Sequence, residues 1–151
     1  MAGRVRGCGQ EGGRALPIAV AAVLSISLMA AGSAALAKTI TGSKRGELLA
    51  GTKGADKLKG KGGNDRLKGK GGNDLLNGGK GRDTAIGGPG ADKLLGGPGD
   101  DLINAADGRR DSAIDGGAGT NTCVLDTSLE LAIARRCSTI RSGSGEATTR
   151  R

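Results

Sequence analysis

The sequence predicts an all-β fold, a solenoid of short parallel strands, and three observations carry that expectation. Glycine fills 31 of the 151 positions without collagen's three-residue period, and Pro numbers only 3. A unit of nine residues recurs seven times without insertion between residues 42 and 104. Phe, Tyr and Trp are absent, so there is little large side-chain volume for an ordinary core. The length allows one domain at most.

The composition also removes function classes. With no His there is no Ser/His/Asp or Cys/His triad, no His-ligated zinc or haem, and no imidazole proton shuttle. Without aromatic rings there is no stacking platform for bases, so nucleic acid is not an expected partner despite a net charge of +8.

Residues 1–37 read as a signal peptide. Arg4, Arg6 and Arg14 against a single Glu11 form a basic start; Ala15 to Ala31 is an apolar run; Ala35-Leu36-Ala37 is a small-residue cleavage site. Pro17, Ser25 and Ser27 interrupt the run, which is short for a span of about 20 residues, so no stable membrane span is expected in the mature chain. No Arg-Arg pair precedes it, which favours the general secretory route. Cleavage before Lys38 would release three Arg and one Glu, leaving 20 basic and 14 acidic side chains, a net of +6.

The repeat follows at once. Its units are GSKRGELLA (42–50), GTKGADKLK (51–59), GKGGNDRLK (60–68), GKGGNDLLN (69–77), GGKGRDTAI (78–86), GGPGADKLL (87–95) and GGPGDDLIN (96–104). The first position is always Gly, and the fourth is Gly in all but the first unit. The sixth is Glu47, then Asp56, Asp65, Asp74, Asp83, Asp92 and Asp101; the eighth is Leu49, Leu58, Leu67, Leu76, Ala85, Leu94 and Ile103.

Each locked position has a physical reason. A Gly-rich six-residue segment reaches the positive φ and close approaches that a Cβ resists, and can curl its carbonyls around a small hard cation, with Asp supplying charge. The last three residues, one aliphatic side chain between polar ones, read as a very short strand. Such a strand is unstable alone. Stacked at a fixed interval, the strands pair in parallel and bury a continuous aliphatic column.

The nonapeptide resembles the GGxGxDxUx repeat of the RTX, or haemolysin-type calcium-binding, family. The best matches are GGPGADKLL and GGPGDDLIN. Thr52, Lys61 and Lys70 stand where the second Gly is expected, an exchange compatible with the repeat only where that backbone does not need positive φ.

The resemblance implies a right-handed parallel β-roll in which two nonapeptides make one turn and Ca2+ sits between loops of successive turns. One edge would then hold Asp56, Asp74 and Asp92, the other Glu47, Asp65, Asp83 and Asp101, with loop carbonyls completing each shell. Inside, Leu58, Leu76 and Leu94 would form one stack and Leu49, Leu67, Ala85 and Ile103 the other. Up to about five ions follow, each with 6–8 oxygens. Seven small aliphatic side chains are little burial for ordering so Gly-rich a chain, so ion binding is expected to drive folding.

The cations Lys53, Lys57, Lys59, Lys61, Arg66, Lys68, Lys70, Lys80 and Lys93 fall at the second, third, seventh and ninth positions. Those at seven and nine flank the buried residue and point outward. Two readings stay open: a solvated face that keeps the sheet from pairing with other chains, or contact with an anionic cell-wall polymer or polysaccharide.

Past residue 104 the pattern degrades over 105–125. Residues 105–114 look like a unit with one insertion, and 115–125 like a second with Asn121 in place of the Asp. Thr127-Ser128-Leu129-Glu130 has the form of a capping box, suggesting a short helix in a cap over 126–141. The tail 142–151 is polar and expected to be disordered. Cys123 and Cys137, the two cysteines outside the signal segment, are expected to form a disulfide.

Every regularly placed carboxylate belongs to the repeat, and no substrate pocket is arguable from Gly, Lys and small aliphatics. The sequence therefore points to an extracellular, non-enzymatic calcium-binding protein, with adhesion to anionic cell-surface polymers as the alternative role.

Overall fold

A computed structural model describes residues 36–126, 128–142 and 147–149. The expected signal segment lies outside them except for Leu36 and Ala37. No helix among the described residues is long and apolar enough to cross a membrane.

All but the last of the strands alternate between two sheets along the chain. One contains β1 (Thr39–Thr41), β3 (Lys57–Gly62), β5 (Leu75–Lys80), β7 (Lys93–Pro98), β9 (Ala113–Ala118) and β11 (Ala134–Arg135), in that order. The other runs β2 (Leu48–Ala50), β4 (Arg66–Lys68), β6 (Thr84–Ile86), β8 (Leu102–Asn104), β10 (Thr122–Leu125), β12 (Thr139–Ser142) and β13 (Ala147–Thr149). All neighbours are parallel except β12 and β13. The chain is thus a β-solenoid of about six turns, each turn giving one strand to each sheet.

The expected register holds. Leu58 pairs with Leu76 and Leu67 with Ala85, eighteen residues apart. The eighth-position side chains meet between the sheets: Leu58, Leu76, Leu94 and Ile114 in one file, Leu49, Leu67, Ala85, Ile103 and Cys123 in the other, all buried. Ala85 leaves no opening; it is 1% exposed, held between Leu67 and Ile103.

At the second position the expectation holds for Thr52, whose φ is not positive, and fails for the two lysines. Lys61 and Lys70 stand at φ 81° and 91°, beside Gly79, Gly88 and Gly97 at 107°, 96° and 118° in later units. The loops keep the glycine conformation and impose it on lysine, at a cost on the order of 1 kcal/mol each.

The degenerate units also divide differently from the expectation. Leu95 pairs with Asp115 and Gly97 with Gly117, so one unit spans 105–115 and carries two extra residues. One extra residue falls before Asp111. The other is absorbed at Ser112, whose amide, like that of Ala113, donates to Asp92 O (2.8 and 3.3 Å). Residues 116–124, GGAGTNTCV, then form an uninterrupted nonapeptide with Asn121 sixth and Cys123 eighth.

A short helix, α1 (Ser128–Ile133), stands between β10 and β11 rather than over the end of the solenoid, since β11 and β12 add a further turn beyond β9 and β10. Thr127, the first residue of the expected capping box, lies outside the described residues, and Glu130 accepts the Asp126 amide at 3.2 Å. The Cys123–Cys137 disulfide, Cα to Cα 5.8 Å, ties β10 to the turn before β12. Ala147–Thr149, expected within a disordered tail, instead pairs antiparallel with Thr139–Arg141; residues 143–146, 150 and 151 lie outside the described residues.

Candidate metal centre

The sixth residue of each unit ends its loop just where the strand begins, and stacking brings these carboxylates into two files. In one, Asp56 N donates to Asp74 Oδ1 (2.7 Å), Asp74 N to Asp92 Oδ1 (2.7 Å) and Asp92 N to Asp111 Oδ1 (2.9 Å). In the other, Glu47 N donates to Asp65 Oδ1 (2.8 Å), Asp65 N to Asp83 Oδ1 (2.7 Å) and Asp83 N to Asp101 Oδ1 (2.8 Å). The sets grouped from the sequence, Asp56 with Asp74 and Asp92, and Glu47 with Asp65, Asp83 and Asp101, are the sets the fold brings together.

Both files run beyond the regular repeat. Asp111 N donates to Glu130 Oε1 (3.3 Å), Asp101 N to Asn121 Oδ1 (2.9 Å) and Asn121 N to Ser138 Oγ (3.3 Å). The one extra residue before Asp111 takes it out of nine-residue spacing, and Glu130 sits within α1. A fifth-position row was also missed. Asn64, Asn73 and Asp100 accept from Arg82 N, Ala91 N and Thr120 N at 2.9, 3.0 and 2.8 Å. Its signal was the Asn or Asp preceding the repeat's Asp in three units.

The second carboxylate oxygens set the site's chemistry. Oδ2 of Asp65, Asp74, Asp83, Asp92, Asp101 and Asp111 is buried without a hydrogen-bond partner. In the first five, Oδ2 lies over the Cα of the glycine that opens the same loop, Gly60 through Gly96, and a Cβ there would collide with it. This is why the first position is always Gly. At the open end the second position carries a hydroxyl instead. Ser43 donates from N and Oγ to Glu47 (2.6 and 3.1 Å), and Thr52 donates from N and Oγ1 to Asp56 Oδ2. Glu47 therefore stands apart from the buried aspartates, half-buried and closed on its own loop.

Burial raises these carboxyls out of the ordinary aspartate range. Asp74, Asp92 and Asp101 rise to about 6 and Asp111 to about 7. Asp65 and Asp83 shift the same way. Amide donation from the preceding turn opposes the rise and neighbouring carboxylates add to it. Desolvated anions with an unused oxygen call for a proton or a cation.

The donors suit a hard cation. They are oxygens throughout, with no His and no free Cys among the described residues. No three acidic side chains converge on one point among the described residues, so backbone oxygens would have to complete any shell. The carbonyls of Gly63, Gly72 and Gly81 turn toward the fourth-position glycines of the next turn, where a Cβ would overlap them.

The family model of the RTX calcium-binding nonapeptide repeat, in four copies, matches over residues 41–76, 50–85 and 77–110. Residues 41–110 belong to the RTX calcium-binding repeat family. No curated protein and no solved structure matches the chain. The RTX segment covers the turns in which five of the six orphaned oxygens lie; Asp111 is the first residue past it. RTX repeats are structural calcium-binding units, so calcium is the ligand class that the family and the oxygen donors share.

Proposed function

We propose that this chain is a secreted, non-enzymatic calcium-binding protein whose mature form begins at Lys38. Several Ca2+ ions lie between loops of successive turns, held by Asp56, Asp65, Asp74, Asp83, Asp92 and Asp101 with carbonyl oxygens, and Glu47 serves at the open end. Asp111 joins them. One observation carries the reading: six buried aspartates each keep an oxygen with no hydrogen-bond partner. Secretion is supported by the composition of residues 1–37 and by a disulfide, which suits an oxidising compartment. When bound, the ions add to folding free energy, since the site exists only in the stacked state.

Calcium titration of the mature chain, followed by circular dichroism and calorimetry, tests this. Calcium should raise the stability of the fold, and Asp65→Asn with Asp83→Asn and Asp101→Asn should lower the bound-ion count. An unchanged count in that variant overturns the assignment of these ligands.

A second reading, calcium-dependent adhesion to anionic cell-surface polymers, is favoured by how the charges are sorted. Between residues 42 and 104 all twelve Lys and Arg are exposed, while six of the eight Asp and Glu are buried in the files. None of the twelve is paired with a carboxylate among the described residues.

A further inference from the structure

The cations of the early turns are not scattered. Lys57, Lys59 and Lys61 occupy alternate positions of β3, all exposed, with Leu58, Gly60 and Gly62 buried between and after them. Nine residues on, Arg66, Lys68 and Lys70 repeat the row on the other sheet face, again exposed around buried Leu67 and Gly69. Alternate residues of a strand place Lys57 and Lys59, and Arg66 and Lys68, about 7 Å apart, and the third cation of each row follows where the backbone turns to positive φ, Lys70 just past β4.

The third cation of each row is the strained one. Lys61 and Lys70 hold φ 81° and 91° at the position that later units give to glycine. Glycine would adopt this conformation without penalty. A lysine held there against its backbone preference completes a three-charge row, and strain of this kind accumulates where a side chain serves binding.

From the rows and the strain together we propose that the β3 row, with its twin beginning at Arg66, binds a linear carboxylated polysaccharide. This rests on the adhesion reading and names its site and partner class. No outward position of β1 to β8 carries an acidic side chain to neutralise the rows. The β3 row is flanked by the hydroxyls of Thr39 and Thr41 on β1 and the amide of Asn77 on β5, groups that hydrogen-bond sugar hydroxyls. A row of cations two residues apart suits a polymer that repeats its charge along its length, and the field around the row attracts it.

The test uses the full mature chain, calcium-loaded, with hyaluronan as the probe and binding measured at two salt concentrations. Lys57→Gln, Lys59→Gln and Lys61→Gln together should weaken binding about tenfold or more and flatten its salt dependence. Arg109→Gln, Arg110→Gln and Arg141→Gln, an equal charge change elsewhere, should leave it within about twofold. Lys61→Gly alone should raise the thermal midpoint yet weaken binding, whereas a merely structural Lys61 would give the first effect without the second. Circular dichroism in calcium shows that each variant is folded. Equal losses from the row and control variants overturn the row while leaving adhesion standing; no binding by the unaltered chain overturns both. Equally tight capture of anionic phospholipid vesicles or duplex DNA overturns the polysaccharide assignment.

Discussion

The backbone amide of Asp74 donates to Oδ1 of Asp92 at 2.7 Å, eighteen residues along the chain, while Oδ2 of Asp92 is buried against Gly87 with no partner. The same carboxylate thus fastens one turn to the next and offers a charged oxygen for a ligand. Stacking and the proposed calcium binding would then depend on one side chain, and substitutions can separate the two roles.

Asp92→Asn keeps an oxygen for the Asp74 amide and removes the charge. Without calcium the variant should be more stable than the parent at pH 7 by about 1–3 kcal/mol, because a desolvated anion is gone. With calcium it should be less stable, having lost a ligand. Urea unfolding in chelator and in saturating calcium measures both; the same sign in the two conditions would contradict the dual role.

The pH dependence of the metal-free protein should run opposite to ordinary acid denaturation. Burial lifts Asp74, Asp92 and Asp101 to about 6 and Asp111 to about 7 from an unfolded value of 3.8. The folded state therefore binds more protons in that interval. Its stability is greatest below about pH 4 and is lost as pH rises through 6 to 7. In chelator, the midpoint of thermal unfolding should fall from pH 4 to pH 7. Calcium must displace those protons, so calorimetry near pH 6 in buffers of different ionisation enthalpy should detect proton release, and much less of it at pH 8.

Gly60→Ala should be disruptive although alanine is small. A Cβ at Gly60 overlaps Asp65 Oδ2 and the carbonyl of Gly78 in the next turn. A loss of about 1–3 kcal/mol is expected, with weaker calcium binding at Asp65. Alanine at Gly108, whose Cβ would meet no atom within 4 Å, is the control for crowding, since its φ of 80° carries the backbone strain alone. Denaturant melts of the two variants in calcium should rank Gly60→Ala as the less stable.

Reducing the Cys123–Cys137 bridge opens a link of sequence separation 14 between the last regular nonapeptide and the closing strand. The chain-entropy estimate for a loop of this size is about 3 kcal/mol. A clear drop in thermal midpoint with reductant, matched by Cys123→Ser with Cys137→Ser, is the expected result.

Much of this molecule was legible because a solenoid repeats locally. Positions one, four, six and eight of each nonapeptide fixed where loops turn and which side chains are buried, since each turn meets only its neighbours. That Leu58 stacks on Leu76 and Asp56 on Asp74 followed from the family resemblance, which implies two nonapeptides per turn. The tertiary structure decided what depends on the next turn's atoms. It placed two extra residues within 105–115 and none in 116–124, and it carried the files on to Asp111, Glu130 and Ser138. It left Oδ2 of six aspartates in the files unmatched, and held Lys61 and Lys70 at positive φ. Hydrogen-bond satisfaction and backbone strain are properties of stacked neighbours eighteen or more residues apart, and no single nonapeptide contains them.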